Sequence, residues 1–436
     1  MGTDLAPLIA SPRSLPLTFT PDFRPRNFPT ERLCQDPTDQ PSLSFPTMSL
    51  PFPSKLPATG TTIFTVMSAL AAKHGAINLS QGFPDYPAHP DLLGGLNRAG
   101  ADGFNQYAPM TGFPVLRAAI ADKIRMQHGL AIDADNEITV TAGATQAIFT
   151  ALTAVLHAGD EAVVFDPSYD CYAPGIQSQG AHPRRIALRA PDFAIDWNRV
   201  EAMITPRTRL ILINNPNNPS TSVFSRADLD ALADIAERHA LVVIADEAYE
   251  HVTFDGVRHE SVLTHPRLRA RSFVIYSFGK TFHITGWKIG YCVAPADLST
   301  ELRKIHQFLV FSVNSAGQQA IAAHLATPAH WQQLPSFFQS RRDALAEGLI
   351  AAGFDLLPCR GTYFQLADYS SIRPDMNDLE FARWLTTEHG VASIPISVFY
   401  GESPAAQRIV RFCFAKQPST LDAAIERLKQ LRRGAH

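Results

Sequence analysis

The chain has 436 residues, of which 45% are hydrophobic and 18% charged, and its 38 Lys and Arg against 41 Asp and Glu give a net charge of −3. This length suffices for two or three domains, and so small a charge argues against a protein that coats the phosphate backbone of a nucleic acid. No apolar run reaches 18 residues, so the sequence predicts no membrane span. The five scattered cysteines form no C-x-x-C pair, so it predicts neither a disulfide framework nor a metal site. This use of cysteine is typical of a reduced cytoplasmic protein.

The first 47 residues differ in composition from the rest of the chain. Nine of the 33 prolines fall within the first 48 residues, too densely for a helix or a central strand. A secretory signal needs a basic start and a continuous apolar stretch, and Asp4 with scattered prolines gives neither. We therefore predict that residues 1–47 are a disordered extension, with a targeting or docking tail as the alternative, and that ordinary sequence begins at Met48, a candidate start.

From Met48 on, short apolar runs alternate with helical patterns. The runs are rich in β-branched residues, which predicts strands at Ile138–Thr141, Ala162–Phe165, Leu210–Ile213, Leu241–Ala245, Phe273–Ser277 and Tyr291–Ala294. The spacing of apolar residues between several of them predicts helices at Ala144–His157, Ser225–His239 and Thr300–Gln307. Continuous apolar strands separated by helices indicate an α/β fold, with a large, mostly parallel sheet covered by helices on both faces.

The pattern changes after about Ser312 into a smaller α+β portion. Its predicted elements are helices at Ala316–Leu325 and Leu334–Ala352, strands at Gly361–Leu366 and Ile409–Phe414, and a last helix at Leu421–Arg433. We therefore predict a large ligand-binding domain over residues 83–312 and a small C-terminal domain over residues 313–436. Residues 48–82 are predicted to form an N-terminal arm that joins the small domain.

Polar residues follow five of the predicted strands, at the sheet edge where ligands bind in open α/β folds. The five loops read Ala142-Gly143-Ala144-Thr145-Gln146, Asp166-Pro167-Ser168-Tyr169, Asn214-Asn215-Pro216-Asn217-Asn218-Pro219, Asp246-Glu247-Ala248-Tyr249 and Ser277-Phe278-Gly279-Lys280. In order, they supply a helix start made of small residues, an aromatic ring, amides, a carboxylate with a phenol, and a hydroxyl with a lysine. This ordered set predicts a pocket for an anionic, planar, electron-withdrawing group.

These loops resemble the motifs of the fold-type I, class I and II aminotransferases, which use pyridoxal 5′-phosphate (PLP). The resemblance covers the chain from Met48 onward and rests on Asn215–Pro219, Asp246–Tyr249, Ser277–Tyr291 and Arg411–Ala415. Within that family, the stretches Asn78–Asp85 and Lys280–Lys288 are most similar to the bacterial methionine aminotransferases and the related kynurenine aminotransferases.

The resemblance implies a catalytic group for each part of the cofactor ring. Lys280 would form an imine with the cofactor aldehyde and, once an amino acid displaces it, would move the proton between the substrate Cα and the cofactor C4′. Asp246 would pair with the pyridine nitrogen, since a carboxylate at the end of an apolar strand needs a positive partner. Tyr249 and Asn218 would bind the O3′ oxygen, and Tyr169 would stack on the ring.

The resemblance also implies how the phosphate is bound. Ala144 and Thr145 begin a helix, where backbone N–H groups attract an anion, and Ser277 would add a hydroxyl. Lys288 stands where many relatives carry an arginine; a lysine keeps the charge but loses the bidentate fork. Tyr107 resembles the tyrosine that reaches the phosphate of the neighbouring subunit, which implies a homodimer with shared sites.

For the substrate, the resemblance implies that Arg411 binds the α-carboxylate, with Gly82 and Asn218 beside it. We find no second arginine placed to receive a side-chain carboxylate. The nearby sequence is aromatic instead, with Phe83, Tyr86, Phe278, Phe308 and Phe311. This composition favours neutral, bulky amino donors such as methionine, phenylalanine, histidine or kynurenine.

The leading hypothesis is a ping-pong PLP aminotransferase that acts on amino acids and 2-oxo acids. A PLP-dependent C–S β-lyase on the same scaffold is the alternative, because the same lysine would serve both reactions. A cofactor-binding regulator of transcription would need a basic helix-turn-helix module, for which the Pro-rich first 47 residues are unsuited.

Overall fold

We describe the fold from a computed structural model, which covers residues 52–404 and 407–434. The predicted disordered extension, residues 1–47, and the candidate start at Met48 lie outside the described residues. No helix within the described residues is long and apolar enough to cross a membrane.

The strands predicted from the sequence are all present. Along the described chain the strands are β1 (Ile77–Asn78), β2 (Ile138–Thr141), β3 (Glu161–Asp166), β4 (His182–Ala187), β5 (Thr208–Asn214), β6 (Val242–Asp246), β7 (Ser272–Ser277), β8 (Gly290–Val293), β9 (Asp355–Leu356), β10 (Phe364–Asp368), β11 (Val391–Ala392), β12 (Ile394–Pro395) and β13 (Ile409–Cys413). Strand β10 begins three residues later than predicted, because Thr362 adopts a left-handed backbone conformation (φ 65°) that an extended strand cannot contain.

Helices connect most of these strands. They are α1 (Ile63–His74), α2 (Pro90–Ala101), α3 (Pro114–His128), α4 (Ala144–Val155), α5 (Tyr172–Ser178), α6 (Trp197–Ala202), α7 (Arg226–Arg238), α8 (Pro266–Arg269), α9 (Phe278–Thr281), α10 (Ala296–Leu309), α11 (Ser315–Leu325), α12 (Ala329–Gln332), α13 (Leu334–Ala352), α14 (Asp378–Glu388) and α15 (Pro418–Leu428). The predicted last helix is α15 followed by a 3-10 segment, Lys429–Gly434. Capping boxes begin α7 (Ser225 with Asp228) and α14 (Asn377 with Glu380).

A seven-stranded sheet forms the centre of the fold, in the order β2-β8-β7-β6-β5-β3-β4. Strands β7, β6, β5, β3 and β4 pair in parallel, whereas β8 is antiparallel to both β7 and β2. Strand β2 therefore runs in the same direction as β7. As a result, the carboxyl ends of β2, β3, β5, β6 and β7 meet at one edge of the sheet.

Alternate residues of the central strands enter two separate cores. Val163, Ile211 and Val243 pack in one apolar cluster, while Val164 and Ile244 pack in another on the opposite face. Successive side chains of a strand point to opposite faces, so both faces of the sheet are buried. This arrangement confirms the predicted α/β architecture.

The sequence pattern missed β4 because this strand lies at the edge of the sheet. Its sequence, His182-Pro183-Arg184-Arg185-Ile186-Ala187, contains charged residues and a proline, and mainly Ile186 is buried. Edge strands accept such residues, since one side of their backbone makes no ladder hydrogen bonds.

The C-terminal part carries a second sheet, antiparallel, in the order β12-β13-β10-β9. In addition, β1 near the N-terminal end of the described residues pairs in parallel with β11, Ile77 opposite Val391. The domain boundaries at residues 82 and 312 stay a prediction.

Candidate active site

A cavity of about 310 Å³ opens where the carboxyl ends of the parallel strands meet. Among its lining residues are eleven of the predicted site residues: Gly82, Ala144, Thr145, Tyr169, Asn218, Asp246, Tyr249, Ser277, Lys280, Lys288 and Arg411. Tyr107 does not line the cavity, and 82% of its surface is exposed. The five strand-end loops therefore meet at one site, as the sheet topology requires.

Lys280 lies in α9, directly after β7, and its amine points into the cavity. The Nζ donates hydrogen bonds to the carbonyl oxygen of Gly82 (3.1 Å) and to the hydroxyl of Tyr363 (2.9 Å). Burial lowers the pKa of Lys280 to about 8, and the nearby cations Arg411 and Lys288 act in the same direction. With this pKa, about a tenth of the amine is neutral and nucleophilic at pH 7, far more than for an ordinary lysine.

Asp246 is the last residue of β6 and is buried. Its carboxylate accepts hydrogen bonds from the hydroxyl of Tyr172 (2.6 Å) and from the backbone N–H of Ala248 (3.1 Å). Burial raises the pKa of Asp246, and these two hydrogen bonds oppose that rise. Within the described residues, no lysine, arginine or histidine lies within 4 Å of this carboxylate, so the site lacks a cationic partner for it.

Arg411 in β13 is 1% exposed and lies among aromatic rings. Its guanidinium donates to the Oδ1 of Asn218 (2.6 Å) and to the carbonyl oxygen of Ser80 (3.1 Å), and it lies 3.8 Å from the ring centroid of Phe364. Burial lowers the pKa of Arg411 to about 10. Its Nε makes no hydrogen bond, and no carboxylate of the described chain lies within 4 Å. This cation is therefore arranged for an anion from outside the chain.

Asn218 contacts Arg411, and Tyr249 lies near Lys280. The Oδ1 of Asn218 accepts the bond from Arg411, and its backbone N–H donates to the Oδ1 of Asn214 (2.7 Å). The amine of Lys280 lies 5.7 Å from the ring centroid of Tyr249. Both side chains line the cavity, so the geometry allows the predicted contacts to a planar ligand.

The opposite end of the cavity is formed by the start of α4. Gly143 precedes this helix with φ 83°, and no side chain caps the first turn, so the N–H groups of the first helical residues remain available. Lys288 also has a left-handed backbone (φ 54°), and its Nζ lies 3.4 Å from where a Cβ on Gly143 would stand. A helix N-terminus beside a lysine is a suitable site for a phosphate.

The aromatic residues around the cavity are mostly different from those expected. Of the five expected residues, only Phe83 lines the cavity. Phe278 is buried in the core, parallel to Phe282 at 5.9 Å between ring centroids, so the expectation that it borders the site is wrong. Tyr86 packs against Phe337, whereas Phe308 and Phe311 are exposed. Phe64 and Phe364, which the sequence analysis did not name, line the cavity beside Arg411.

Sequence reasoning also missed Tyr172, Tyr363 and Asn214. Tyr172 lies three residues after Tyr169, and Asn214 begins the Asn-Asn-Pro motif, so both were within reach of the motif search. Tyr363 lies directly before β10 of the second sheet, and no local signal links it to Lys280.

The described residues fit PLP, the cofactor that the resemblance implies. Three features carry the fit: a buried amine of lowered pKa at Lys280, a buried carboxylate without a cation at Asp246, and free backbone donors beside Lys288 at the start of α4. They match the aldehyde, the ring nitrogen and the phosphate of PLP respectively.

Comparisons with known proteins show the same family that the sequence resembles. The family model of class I and II aminotransferases matches residues 74–428. The chain is 52% identical to methionine aminotransferase of Escherichia coli, over 87% of this chain and 98% of the relative. It is also 33% identical to kynurenine–oxoglutarate transaminase of Dictyostelium discoideum, over 87% of this chain and 97% of the relative.

Solved structures show the same similarity in three dimensions. A crystal structure of an Escherichia coli protein with methionine aminotransferase function aligns with a TM-score of 0.85 at 52% identity, covering 88% of this chain and 100% of the other. N-succinyldiaminopimelate aminotransferase of Mycobacterium tuberculosis aligns with a TM-score of 0.84 at 40% identity, covering 87% and 100%.

Proposed function

Because the chain belongs to the class I and II aminotransferases and uses PLP, we propose that it takes the α-amino group from a neutral, bulky amino acid and passes it to a 2-oxo acid. Methionine, aromatic amino acids, histidine and kynurenine are the candidate donors. The observation that carries the proposal is Arg411, a buried guanidinium without a carboxylate partner among the described residues. Among the described residues, it is also the only arginine that lines the cavity.

The single arginine decides which part of the substrate is bound by charge. Arg411 is held by Asn218 and Ser80, so its remaining donors face the cavity in a fixed orientation. A bidentate contact with an α-carboxylate would therefore orient the Cα of the substrate. A side-chain carboxylate would find no such partner, whereas Phe64, Phe83 and Phe364 offer apolar contacts. This contrast, together with the named activities of the relatives, supports neutral donors.

Lys280 is placed to move the proton. When PLP is bound, it withdraws electrons from the substrate Cα and makes the Cα–H bond acidic. The pKa of about 8 puts the amine of Lys280 near the pH at which a base both accepts and returns a proton efficiently. Tyr363 and the carbonyl of Gly82 hold that amine in place through two hydrogen bonds.

We also propose a homodimer. Tyr107 is 82% exposed, and its ring packs edge-on against Phe311, which is 44% exposed, while Phe308 beside them is 86% exposed. A second copy of the chain would cover this apolar surface and bring Tyr107 to the phosphate end of the other site. Light scattering should then give twice the chain mass of 47.8 kDa, and a monomeric, active enzyme would contradict the proposal.

We also propose a domain arrangement and a cellular location. The pairing of β1 with β11 supports an arm at residues 48–82 that joins a small domain over 313–436. The four described cysteines, Cys171, Cys292, Cys359 and Cys413, are free thiols, which supports a reducing, cytoplasmic location.

A half-reaction tests the proposed activity. Methionine added to the purified holoenzyme, without any 2-oxo acid, should remove the absorbance of the bound aldehyde cofactor and release one equivalent of the matching 2-oxo acid. Lys280→Ala should abolish turnover, and Arg408→Lys, a change at a partly buried residue outside the cavity, should not. Release of ammonia and pyruvate from a cysteine conjugate without an oxo-acid acceptor would instead indicate the C–S β-lyase.

A further inference from the structure

Three histidines from separate helical segments meet outside the active site. His89 caps the start of α2, His324 lies near the end of α11, and His330 lies in α12. The ring centroids of His324 and His330 are 3.8 Å apart, and that of His89 lies 4.7 Å from His330 and 5.2 Å from His324. One ring nitrogen of each residue lies within 4.8 Å of the other two.

The hydrogen bonds of His330 and His324 leave nitrogen lone pairs free. The Nδ1 of His330 donates to the carbonyl oxygen of His324 (3.0 Å), so its Nε2 is unprotonated when the ring is neutral. His324 is 6% exposed, and its buried Nδ1 makes no hydrogen bond within the described residues.

The third ring has a carboxylate behind it. The Nδ1 of His89 accepts the backbone N–H of Asp91 (3.2 Å) and lies 3.7 Å from the Oδ2 of the same residue. If the Nε2 of His89 bound a metal, the ring proton would lie on Nδ1, which would give up the bond from the Asp91 N–H and could donate to that carboxylate instead. A carboxylate behind a metal-binding histidine fixes the tautomer and increases the basicity of the ligand.

We propose that His89, His324 and His330 form a binding site for a divalent late transition-metal ion, with Zn²⁺ as the best match. Three neutral imidazoles suit zinc and its neighbours, whereas Mg²⁺ and Ca²⁺ prefer oxygen ligands. The fourth position of a tetrahedral ion would be open to solvent through His89, whose side chain is 48% exposed.

The three rings have to move before they can share one ion. Zinc–nitrogen bonds of about 2.0–2.1 Å place the ligand nitrogens of a tetrahedral ion roughly 3.3 Å apart, so the three nitrogens have to close by about 1.5 Å at most from their 4.8 Å spread. The half-exposed His89 ring can turn by side-chain rotation, but His324 and His330 are stacked with 13° between their planes and have to turn apart, because an ion shared by two imidazoles lies near the plane of each ring.

The position of the site suggests a structural effect. A bound ion would connect the start of α2 with α11 and α12. The His324 ring also packs edge-on against Phe282 (4.8 Å between ring centroids), which lies two residues after Lys280. Metal binding would thus stabilise the packing behind the active site.

Equilibrium dialysis of the PLP-loaded enzyme against Zn²⁺ tests the proposal. We expect one Zn²⁺ per chain that is bound in the wild type and in the control His157→Gln, whose side chain is 88% exposed. His89→Gln and His330→Gln should each weaken this binding by at least about tenfold, since even partners behind a ligand contribute 10- to 100-fold. Zn²⁺ should raise the thermal unfolding midpoint of the wild type and the control but not of these two variants, and Mg²⁺ should do neither.

Because His89 lies at the surface, His89→Gln is expected to fold, so its result can be read directly. Equal Zn²⁺ uptake by the wild type and His89→Gln would place any bound zinc elsewhere and overturn the proposal. No uptake by the wild type would overturn it as well.

Discussion

Tyr172 donates a 2.6 Å hydrogen bond to the Oδ2 of Asp246, and this bond sets the direction of the carboxylate at the floor of the cavity. Tyr172 is 2% exposed and begins α5, so its hydroxyl is held by the fold rather than by solvent. Together with the N–H of Ala248, it anchors both oxygens of the carboxylate. The carboxylate can therefore face a cationic ring nitrogen without turning away.

Tyr172→Phe should weaken cofactor binding while it keeps the packing. Without the hydroxyl, one hydrogen bond no longer opposes the effect of burial, so the pKa of Asp246 rises further. For each unit by which this pKa exceeds the pH of the experiment, the fraction of ionised carboxylate, and with it the affinity for a cationic ring, falls by about tenfold. PLP titration of the apoenzyme, followed by absorbance, measures the effect. Tyr369→Phe, which also loses a tyrosine hydrogen bond but in the second sheet, is the control and should bind PLP normally. Equal affinities in all three proteins would contradict the prediction.

The rate at which the apoenzyme captures PLP should rise with pH around the pKa of Lys280. The protonated amine is not nucleophilic, so capture is slow below about pH 8 and reaches a plateau above it. A lysine with an ordinary pKa would give a midpoint at about pH 10.4. Stopped-flow absorbance across this range measures the midpoint. Tyr363→Phe removes a hydrogen-bond acceptor that stabilises the ammonium form of Lys280, so the midpoint of PLP capture in this variant should move to lower pH. A midpoint above that of the wild type would be incompatible with this hydrogen bond.

Arg411→Lys should impair recognition of the α-carboxylate. A lysine keeps the positive charge but loses the bidentate fork and the bond to Asn218, and hydrogen bonds between charged groups contribute about 1.5–3 kcal/mol. We therefore expect kcat/KM for methionine to fall by about 10- to 100-fold. Steady-state kinetics measures the change, with Arg408→Lys as the control. If Arg411→Lys has wild-type kcat/KM, the carboxylate binds elsewhere.

Lys288→Ala should weaken binding of PLP but not of pyridoxal, which lacks the phosphate. The Nζ of Lys288 lies beside Gly143 at the start of α4, where an anion would sit. Removal of this cation should cost about 1.5–3 kcal/mol for PLP, whereas pyridoxal affinity should stay unchanged. Parallel titrations of both compounds give the comparison. An equal loss for both ligands would mean that Lys288 acts on the ring and not on the phosphate.

A buried ion pair that does not line the cavity should control stability. Lys123 is 1% exposed, and its Nζ lies 2.5 Å from the Oε1 of Glu250. Lys123→Met would leave that carboxylate buried without a cation, which typically costs about 3–5 kcal/mol. The midpoint of urea-induced unfolding should fall, and Lys123→Met/Glu250→Gln should recover part of the loss. Arg125→Met, which breaks an exposed pair with Asp122, should change the midpoint little. A Lys123→Met midpoint no lower than that of Arg125→Met would refute the prediction.

Local sequence was informative wherever a pattern and its structure lie in one continuous segment. The apolar runs at β2, β3, β5, β6 and β7 identified the parallel strands, since strands buried on both faces need uninterrupted apolar residues. The residues that follow each run then had to converge, because the carboxyl ends of strands running in one direction share one edge. Lys280, Asp246 and Asn218 were found in this way.

Contacts between distant segments were outside the reach of such patterns. Tyr363 meets Lys280, and Phe364 packs on Arg411, only because the second sheet lies against the end of the first one. His89 likewise meets His324 and His330 through the packing of α2 against α11. The spacing of apolar residues indicates which face of a strand or helix is buried, but not which other element packs against that face. That choice depends on how side chains from remote parts of the chain fill the same space, so the tertiary structure alone decides it.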